Sequence, residues 1–162
     1  MIIVFGSNVL DMFFDCVDLP AKDTAIFIDE HLQQPGGKGA NQAIAAARAG
    51  SEVRFFGALG SGGHGRLMYK NLAQNDVDVS AMEFVDTPSG LATIFVDESD
   101  GTHKVVVSKG ANLKARQETV PDKILNKDTT LLLQGELPMS ETQALIKRAK
   151  DKGCQIIQSC AS

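Results

Sequence analysis

Short apolar runs alternate with amphipathic stretches along this chain, and glycine or polar residues bound most of the runs. Apolar runs of this length predict strands, whereas apolar residues at spacings of three and four predict helices. The predicted strands are 2–5, 12–17, 25–29, 52–57, 91–96, 104–107, 130–134 and 155–157. The predicted helices are 40–49, 65–75 and 140–150, and the last of these is opened by a capping box at 140–143 and closed by Gly153.

The order of these elements indicates the fold class. Strands and helices alternate over most of the chain, which is typical of an α/β protein with a parallel sheet and helices on both faces. The segments 12–17 and 25–29 do not fit that alternation, and neither does a hairpin of 91–96 with 104–107 across the polar turn 97–101. We expect these segments to form a small sheet outside the main layer.

The composition fits one ordinary globular core and argues against several classes of function. The chain has 162 residues, of which 43% are hydrophobic and 22% charged, enough for a single core of average size. A net charge of −4 without a basic stripe predicts no nucleic-acid partner. The apolar start at 1–5 is too short for a membrane span, so we expect no membrane partner and a cytoplasmic location.

The cysteines and histidines predict neither a disulfide framework nor a metal site. Cys16, Cys154 and Cys160 are scattered and form no C-x-x-C pair, so reduced thiols are expected. The histidines are far apart in the sequence and show no ligand-like spacing. We therefore predict no metal ligands in this chain.

The run Pro-Gly-Gly-Lys-Gly-Ala-Asn-Gln-Ala at 35–43 is the most informative stretch for chemistry. It leads into a predicted helix, whose opening turn is expected to leave backbone N–H groups free for the oxygen atoms of a ligand. Lys38 adds a positive charge, and Asn41 adds an amide that both donates and accepts. Gly39 stands where a Walker loop needs Ser or Thr, so the run is not a Walker loop. The alternative interpretation is that this run binds no ligand and is only a turn that joins a strand to a helix.

A second glycine-rich run, at 60–65, matches the G-x-G-x-x-G pattern of dinucleotide-binding sites. It follows a predicted strand and opens a predicted helix, as that pattern requires. The acidic residue about twenty positions further on, Asp86, precedes Thr87 and Pro88 and is expected in a turn rather than at a strand end. A dinucleotide-binding oxidoreductase domain therefore stays open as an alternative interpretation.

Three motifs together resemble the ribokinase-like carbohydrate kinases, the phosphofructokinase-B family. They are Gly-Gly-Lys-Gly-Ala-Asn-Gln-Ala at 36–43, Gly-Ser-Asn-Val-Leu-Asp at 6–11 and Gln-Gly-Glu-Leu-Pro at 134–138. The resemblance spans essentially the whole chain, 1–162, as the N-terminal part of a sugar kinase domain. It implies a three-layer α/β/α ribokinase-like fold, here partial, with a small β-sheet lid formed by segments at about 11–34 and 88–109.

The resemblance also implies a site for a small sugar. The residues that match the family's sugar contacts are Asp11, Gly37, Lys38, Gly39, Asn41 and Glu136, with Ala92 and Ile94 of the lid packing against the sugar. The implied activity transfers the γ-phosphoryl group of ATP to a hydroxyl of a small sugar such as ribose, with ATP and Mg²⁺ as cofactors. Val9 departs from the pattern, since the ribose kinases of the family carry an Asn two places before the Asp.

The resemblance further implies that this chain is the sugar-binding half. The family takes its catalytic base from the Asp of a Gly-Ala-Gly-Asp run, and no such run occurs in the sequence. We therefore expect no catalytic residue here, an absent C-terminal nucleotide-binding half and no turnover by the chain alone. Residues 159–162 also depart from the Asn-Pro that the family usually has at that strand end.

The lid segments carry more apolar side chains than one exposed sheet face needs, in particular at 25–28 and 91–96. We expect the pairing of two lids in a homodimer to cover these side chains. A non-catalytic half-domain that only dimerises through its lid is therefore the second alternative interpretation.

Overall fold

The structure is a computed structural model that describes residues 1–17, 19, 21–97 and 100–160. Its strands are β1 (Ile2–Phe5), β2 (Val9–Cys16), β3 (Leu32–Gly36), β4 (Val53–Phe56), β5 (Ala58–Gly60), β6 (Val77–Asp78), β7 (Glu83–Val85), β8 (Gly90–Asp97), β9 (His103–Ser108), β10 (Thr130–Leu133) and β11 (Gln155–Gln158). Its helices are α1 (Lys38–Arg48), α2 (Gly63–Gln74) and α3 (Met139–Asp151), with short 3₁₀ turns at Gly110–Lys114, Gln117–Thr119 and Asp122–Ile124. In the part of the chain described, no helix has the length and apolar character needed to cross a membrane.

The main sheet is parallel and has the strand order β11-β10-β1-β4-β6. β1 lies at its centre, with Val4 beside Leu132 of β10 and Phe55 of β4. The apolar sequence of β1 suits this place, because a central parallel strand is covered on both faces. Since all the strands run in one direction, the carboxyl ends of β1 and β10 open at the same edge of the sheet.

Successive residues of these strands face opposite sides of the sheet and are covered by different helices. On one side, Ile3 of β1 belongs to a buried cluster with Leu145 of α3. On the other side, Val4 of β1 belongs to a cluster with Ala43 of α1 and Leu72 of α2. Helices thus cover both faces, and the predicted three-layer α/β/α arrangement is confirmed.

A second sheet has the strand order β3-β2-β8-β9. β2 and β8 pair in parallel over their whole length, and β3 and β9 flank them in antiparallel. The expected hairpin of 91–96 with 104–107 is confirmed as β8 and β9, although residues 98 and 99 of its turn lie outside the described residues. The segments expected to form a lid do build this sheet, and its action as a lid over the site stays a prediction.

The predicted strand at 25–29 is wrong. The structure has no strand there, and Leu32–Gly36 supplies the edge strand next to β2 instead. The apolar run 25–28 does not enter a core, since Phe27 is 98% exposed. Pro35 within β3 is compatible with an edge, because an edge strand has one side on which no backbone donor is needed.

The capping box predicted at 140–143 is also wrong. α3 begins at Met139, directly after Pro138, and no side chain caps it. Glu141, the expected reciprocal partner, instead accepts a 2.9 Å hydrogen bond from the backbone N–H of Gln117. The 3₁₀ segment packed beside α3 therefore takes the carboxylate that the motif would have used, a tertiary contact that local sequence does not show.

Candidate functional site

The carboxyl ends of β1 and β10 meet the start of α1 at one edge of the main sheet. Glu136 follows β10, and its Oε1 lies 2.8 Å from Nζ of Lys38, the first residue of α1. Ser7 follows β1, and its hydroxyl donates to Oε2 of the same carboxylate. Both oxygens of Glu136 are therefore held by neighbouring side chains.

The first backbone N–H groups of α1 are bound within the protein, so the expectation that they are free for a ligand is wrong. The N–H of Lys38 faces the Glu136 carboxylate and helps to lower its pKa. The N–H of Gly39 donates to the Ser7 hydroxyl at 3.3 Å, and the N–H of Ala40 donates to the Ser7 carbonyl oxygen at 3.0 Å. A helix start favours an anion, and here the anion is the protein's own Glu136.

Two glycines of the run 35–43 allow this close contact between α1 and β1. Gly37, the N-cap of α1, has a φ of 96°, a left-handed conformation that side chains disfavour. A Cβ added to Gly39 would lie 2.6 Å from the backbone N of Ser7. Alanine at position 39 would therefore push the helix away from the end of β1 and separate Lys38 from Glu136.

Asp11 lies in β2, half-buried, between Gln34 of β3 and Ala92 of β8. No side chain among the described residues donates a hydrogen bond to its carboxylate. A Cβ on Gly36 would come within 2.0 Å of its Oδ2, so glycine at that position leaves the carboxylate its room. The acceptor atoms of Asp11 are thus largely unfilled, and a second carboxylate, that of Glu136, lies near them.

The two carboxylates have opposite electrostatic environments. Burial raises the pKa of Asp11, and the charge of Glu136 raises it further. Burial also acts to raise the pKa of Glu136, but hydrogen bonds from Lys38 and Ser7 and the lysine charge outweigh it and hold the pKa below its usual value. Glu136 is therefore stabilised as an anion without a ligand, whereas ionised Asp11 gains from any ligand that donates hydrogen bonds.

The other predicted contact residues surround these groups. Ala92 is buried directly beside Asp11 in the register of the second sheet, and half-buried Ile94 lies two positions along the same face. Asn41 is exposed on α1, three residues after Lys38 and therefore on the same side of the helix. The assignment of all of these residues, and of Asp11, Lys38 and Glu136, to a sugar stays a prediction.

Sequence reasoning missed the buried polar residues that hold this edge together. Ser7 is 1% exposed, binds Glu136 and accepts from α1. Asn8 and Asn112 are each 2% exposed and are hydrogen-bonded to one another. A hydroxyl directly after a central apolar strand was a usable signal for Ser7, whereas the partner of Asn8 lies too far away in the sequence to be recognised.

The glycine run at 60–65 has a structural explanation. A Cβ on Gly65 would lie 1.8 Å from the carbonyl oxygen of Gly60, and one on Gly60 would lie 2.4 Å from that of Thr87. Asp86 lies in a bend, as expected, and this bend directly follows β7. However, β7 pairs only with β5 in a separate two-stranded sheet, and the N–H of Ser61 is already bound to Val85. The run therefore packs β5 against α2.

Comparisons with known proteins agree with the motifs. The family model for the pfkB family carbohydrate kinases matches residues 1–162. Ribokinase of Arabidopsis thaliana is 31% identical over 96% of this chain and 42% of the relative. Ribokinase of Bacillus subtilis is 34% identical over 96% of this chain and 54% of the relative.

The fold comparison gives the same result. The structure of Arabidopsis thaliana ribokinase complexed with ribose and ATP matches with a TM-score of 0.88 and 30% identity, over 99% of this chain and 53% of that one. The chain spans about half the length of the curated relatives it matches. Because the family match extends over all 162 residues, the chain belongs to the pfkB family of carbohydrate kinases.

Proposed function

We propose that this chain forms the sugar-binding part of a kinase that transfers the γ-phosphoryl group of ATP to a hydroxyl of a small sugar such as ribose. The observation that carries the proposal is the half-buried Asp11 carboxylate, which receives no hydrogen bond from a described side chain and lies near Glu136. Such a group suits a ligand with several hydroxyl donors. The Arabidopsis relative's complex with ribose and ATP supports the same class of ligand.

Each side chain has a distinct role in this proposal. Asp11 accepts hydrogen bonds from a pair of sugar hydroxyls. Lys38 donates from its Nζ, and Glu136, fixed by its protein partners, offers its remaining acceptor capacity. Asn41 both donates and accepts at the rim, and the backbone at Gly37 and Gly39 lets the sugar approach.

The second sheet supplies the apolar side of the same site. Ala92 and Ile94 form the wall against which the carbon skeleton of the sugar packs. The register places Ala92 directly beside Asp11, so polar and apolar contacts come from adjacent strands.

Phosphoryl transfer needs groups beyond these. It depends on positioning, on neutralisation of the phosphate charge and on a base near the attacking hydroxyl. Among the described residues, no three His, Cys, Asp or Glu side chains are grouped so that they could hold a metal ion. The sequence also has no Gly-Ala-Gly-Asp run. We therefore assign ATP, Mg²⁺ and the base to a part of the kinase outside this chain and derive no step through them.

Replacing Asp11 should weaken sugar binding. Asp11→Asn keeps the shape but removes the charged acceptor, which is worth about 1.5–3 kcal/mol, or about 10-fold to 150-fold in Kd. Ribose titration followed by NMR chemical shifts measures the change. Asp15→Asn, an exposed residue of the same strand, is the matched control and should bind as the unaltered chain does. Equal affinity in Asp11→Asn and the unaltered chain would remove Asp11 from the site.

The same substitution should stabilise the fold at neutral pH. Burial raises the pKa of Asp11 in the folded state above its unfolded value of about 3.9, so the folded protein favours the protonated carboxyl group. This contribution to the free energy of unfolding is fully present below the unfolded pKa and is lost as the pH rises through the folded-state pKa. Asp11→Asn removes this loss and should raise the unfolding temperature at pH 7 but not at pH 3. Calorimetry at the two pH values tests this expectation, and a lower unfolding temperature at pH 7 would contradict it.

Two copies should associate through the second sheet. β9 is an edge strand, and Val105 and Val107 are 45% and 55% exposed on the face that also carries Ile94. We expect a homodimer that buries the end of this face around Val105 and leaves the end beside Asp11 open to the sugar. Val105→Lys should therefore give monomers in sedimentation at high micromolar concentration. Val106→Lys, on the opposite face of the same strand, should leave the dimer intact. A monomeric unaltered chain would disprove the pairing.

The 162-residue chain alone should phosphorylate no sugar. A chain without the base, and without groups that stabilise the phosphate charge, lacks most of what catalyses this reaction. A coupled assay for ADP release, run across ribose, fructose and related sugars, should stay at background. ADP release that follows the chain through purification and disappears in Asp11→Asn would show that the site is complete.

A further inference from the structure

The side-chain amide of Asn112 joins distant parts of the chain. Asn112 lies in the 3₁₀ turn Gly110–Lys114 and is 2% exposed. Its Oδ1 accepts from the backbone N–H of Asn8 at 2.9 Å, and its Nδ2 donates to the carbonyl oxygens of Asn8 and Lys109, each at 2.9 Å. The amide therefore pairs with the backbone of Asn8 much as an adjacent strand would.

Glycines beside the Asn112 amide leave the space that it occupies. A Cβ on Gly90, at the start of β8, would lie 2.4 Å from Nδ2 of Asn112. Gly110 has a φ of 48°, and the N–H of Ala111 donates to the carbonyl oxygen of Pro88 at 2.8 Å. The segments 6–8 and 109–112, which precede and follow strands of the second sheet, thus meet at this buried side chain, and the segment 86–89 lies against the same turn.

The connection at Asn8 lies between the two carboxylates of the site. Ser7, immediately before it, holds Glu136, and β2, which begins immediately after it, carries Asp11. Asn8 itself belongs to neither sheet, so its backbone lacks ladder partners, and Asn112 supplies both. A shift of the chain at Asn8 would move Asp11 relative to Glu136.

We propose that Asn112 is a positioning residue of the site: its amide holds the chain at Asn8 and thereby sets the place of the Asp11 carboxylate relative to Glu136. This inference rests on the proposed function for its consequence in sugar binding. Asn112 does not need to touch the sugar. It acts through the backbone of Asn8, and an amide is required because the position needs an acceptor and a donor side by side.

The sharpest test is Asn112→Leu. Leucine keeps the branched shape and adds no charge, but it neither accepts from the N–H of Asn8 nor donates to the carbonyl oxygens of Asn8 and Lys109. The primary readout is the pKa of the Asp11 carboxyl, followed by carbon-13 NMR. We expect this pKa to fall towards its ordinary value as Asp11 leaves its buried place near Glu136, and the ribose Kd to rise about tenfold.

Thr129→Val is the matched control. Thr129 is also 2% exposed, and its hydroxyl donates one buried hydrogen bond, to the carbonyl oxygen of Ile124, at the opposite end of β10 from Glu136. Both variants should lower the unfolding temperature, but only Asn112→Leu should change the pKa of Asp11. An unchanged Asp11 pKa in folded Asn112→Leu would overturn the proposal and leave Asn112 a structural role alone.

Two further measurements cover other results. If Asn112→Leu does not fold, Gly90→Ala is the second variant, because its methyl group would press on the Asn112 amide. It should also lower the Asp11 pKa, and an unchanged pKa overturns the proposal. In the unaltered chain, the N–H of Asn8 should exchange with solvent as slowly as those of β1, and exchange as fast as in the exposed segment 25–28 overturns it. If the Asn112 variant changes the Asp11 pKa but the unaltered chain binds no ribose, the result supports the role of Asn112 and contradicts only the assignment of the site to a sugar.

Discussion

The Glu136 carboxylate, bound by Lys38 and Ser7 at the start of α1, joins the ends of β1 and β10 to the helix. A half-buried carboxylate without such partners would be costly, and the positive end of the helix adds further stabilisation. This contact requires α1 to lie almost against the backbone of β1, which explains why glycine is needed at position 39. The glycine-rich run is thus first a packing motif, and the proposed sugar site lies on the edge that this packing creates.

The site combines one carboxylate that the protein satisfies with another that it leaves unsatisfied. Glu136 has its hydrogen bonds in the absence of any ligand, so its position is set before binding. Asp11 is half-buried with its acceptors open, and the fold bears the cost of holding a charge there. A site that stores this unfavourable energy can recover it on binding, which makes the affinity depend on how well the ligand's hydroxyl groups match the carboxylate.

Much of the architecture was predictable because it depends on local pattern. β1, α1 and α2 follow from apolar periodicity with glycine punctuation, and the hairpin of β8 and β9 follows from a polar turn between apolar runs. The strand predicted at 25–29 failed because the next segment along the chain, β3, pairs with β2 instead. The capping box at 140–143 failed because Gln117, 24 positions away, takes the Glu141 carboxylate.

The candidate site divides in the same way. The motifs indicated Asp11, Lys38 and Glu136, and the structure brings the last two within 2.8 Å. Asn112 carries no such local signal, because its importance comes from a partner more than a hundred positions away, Asn8. Ser7 is signalled by its place after β1, but its partner, Glu136, is just as far away in the sequence.

The parallel pairing of β2 with β8 has a consequence for the order in which the chain folds. The two strands are about 80 residues apart, as Val9 lies beside Gly90, and closing so large a loop is slow compared with forming local hairpins or helices. During synthesis, β2 can pair with β3 early, but its other edge stays open until β8 has been made. We expect this open edge to be a place where a chaperone or a second chain can bind the nascent protein.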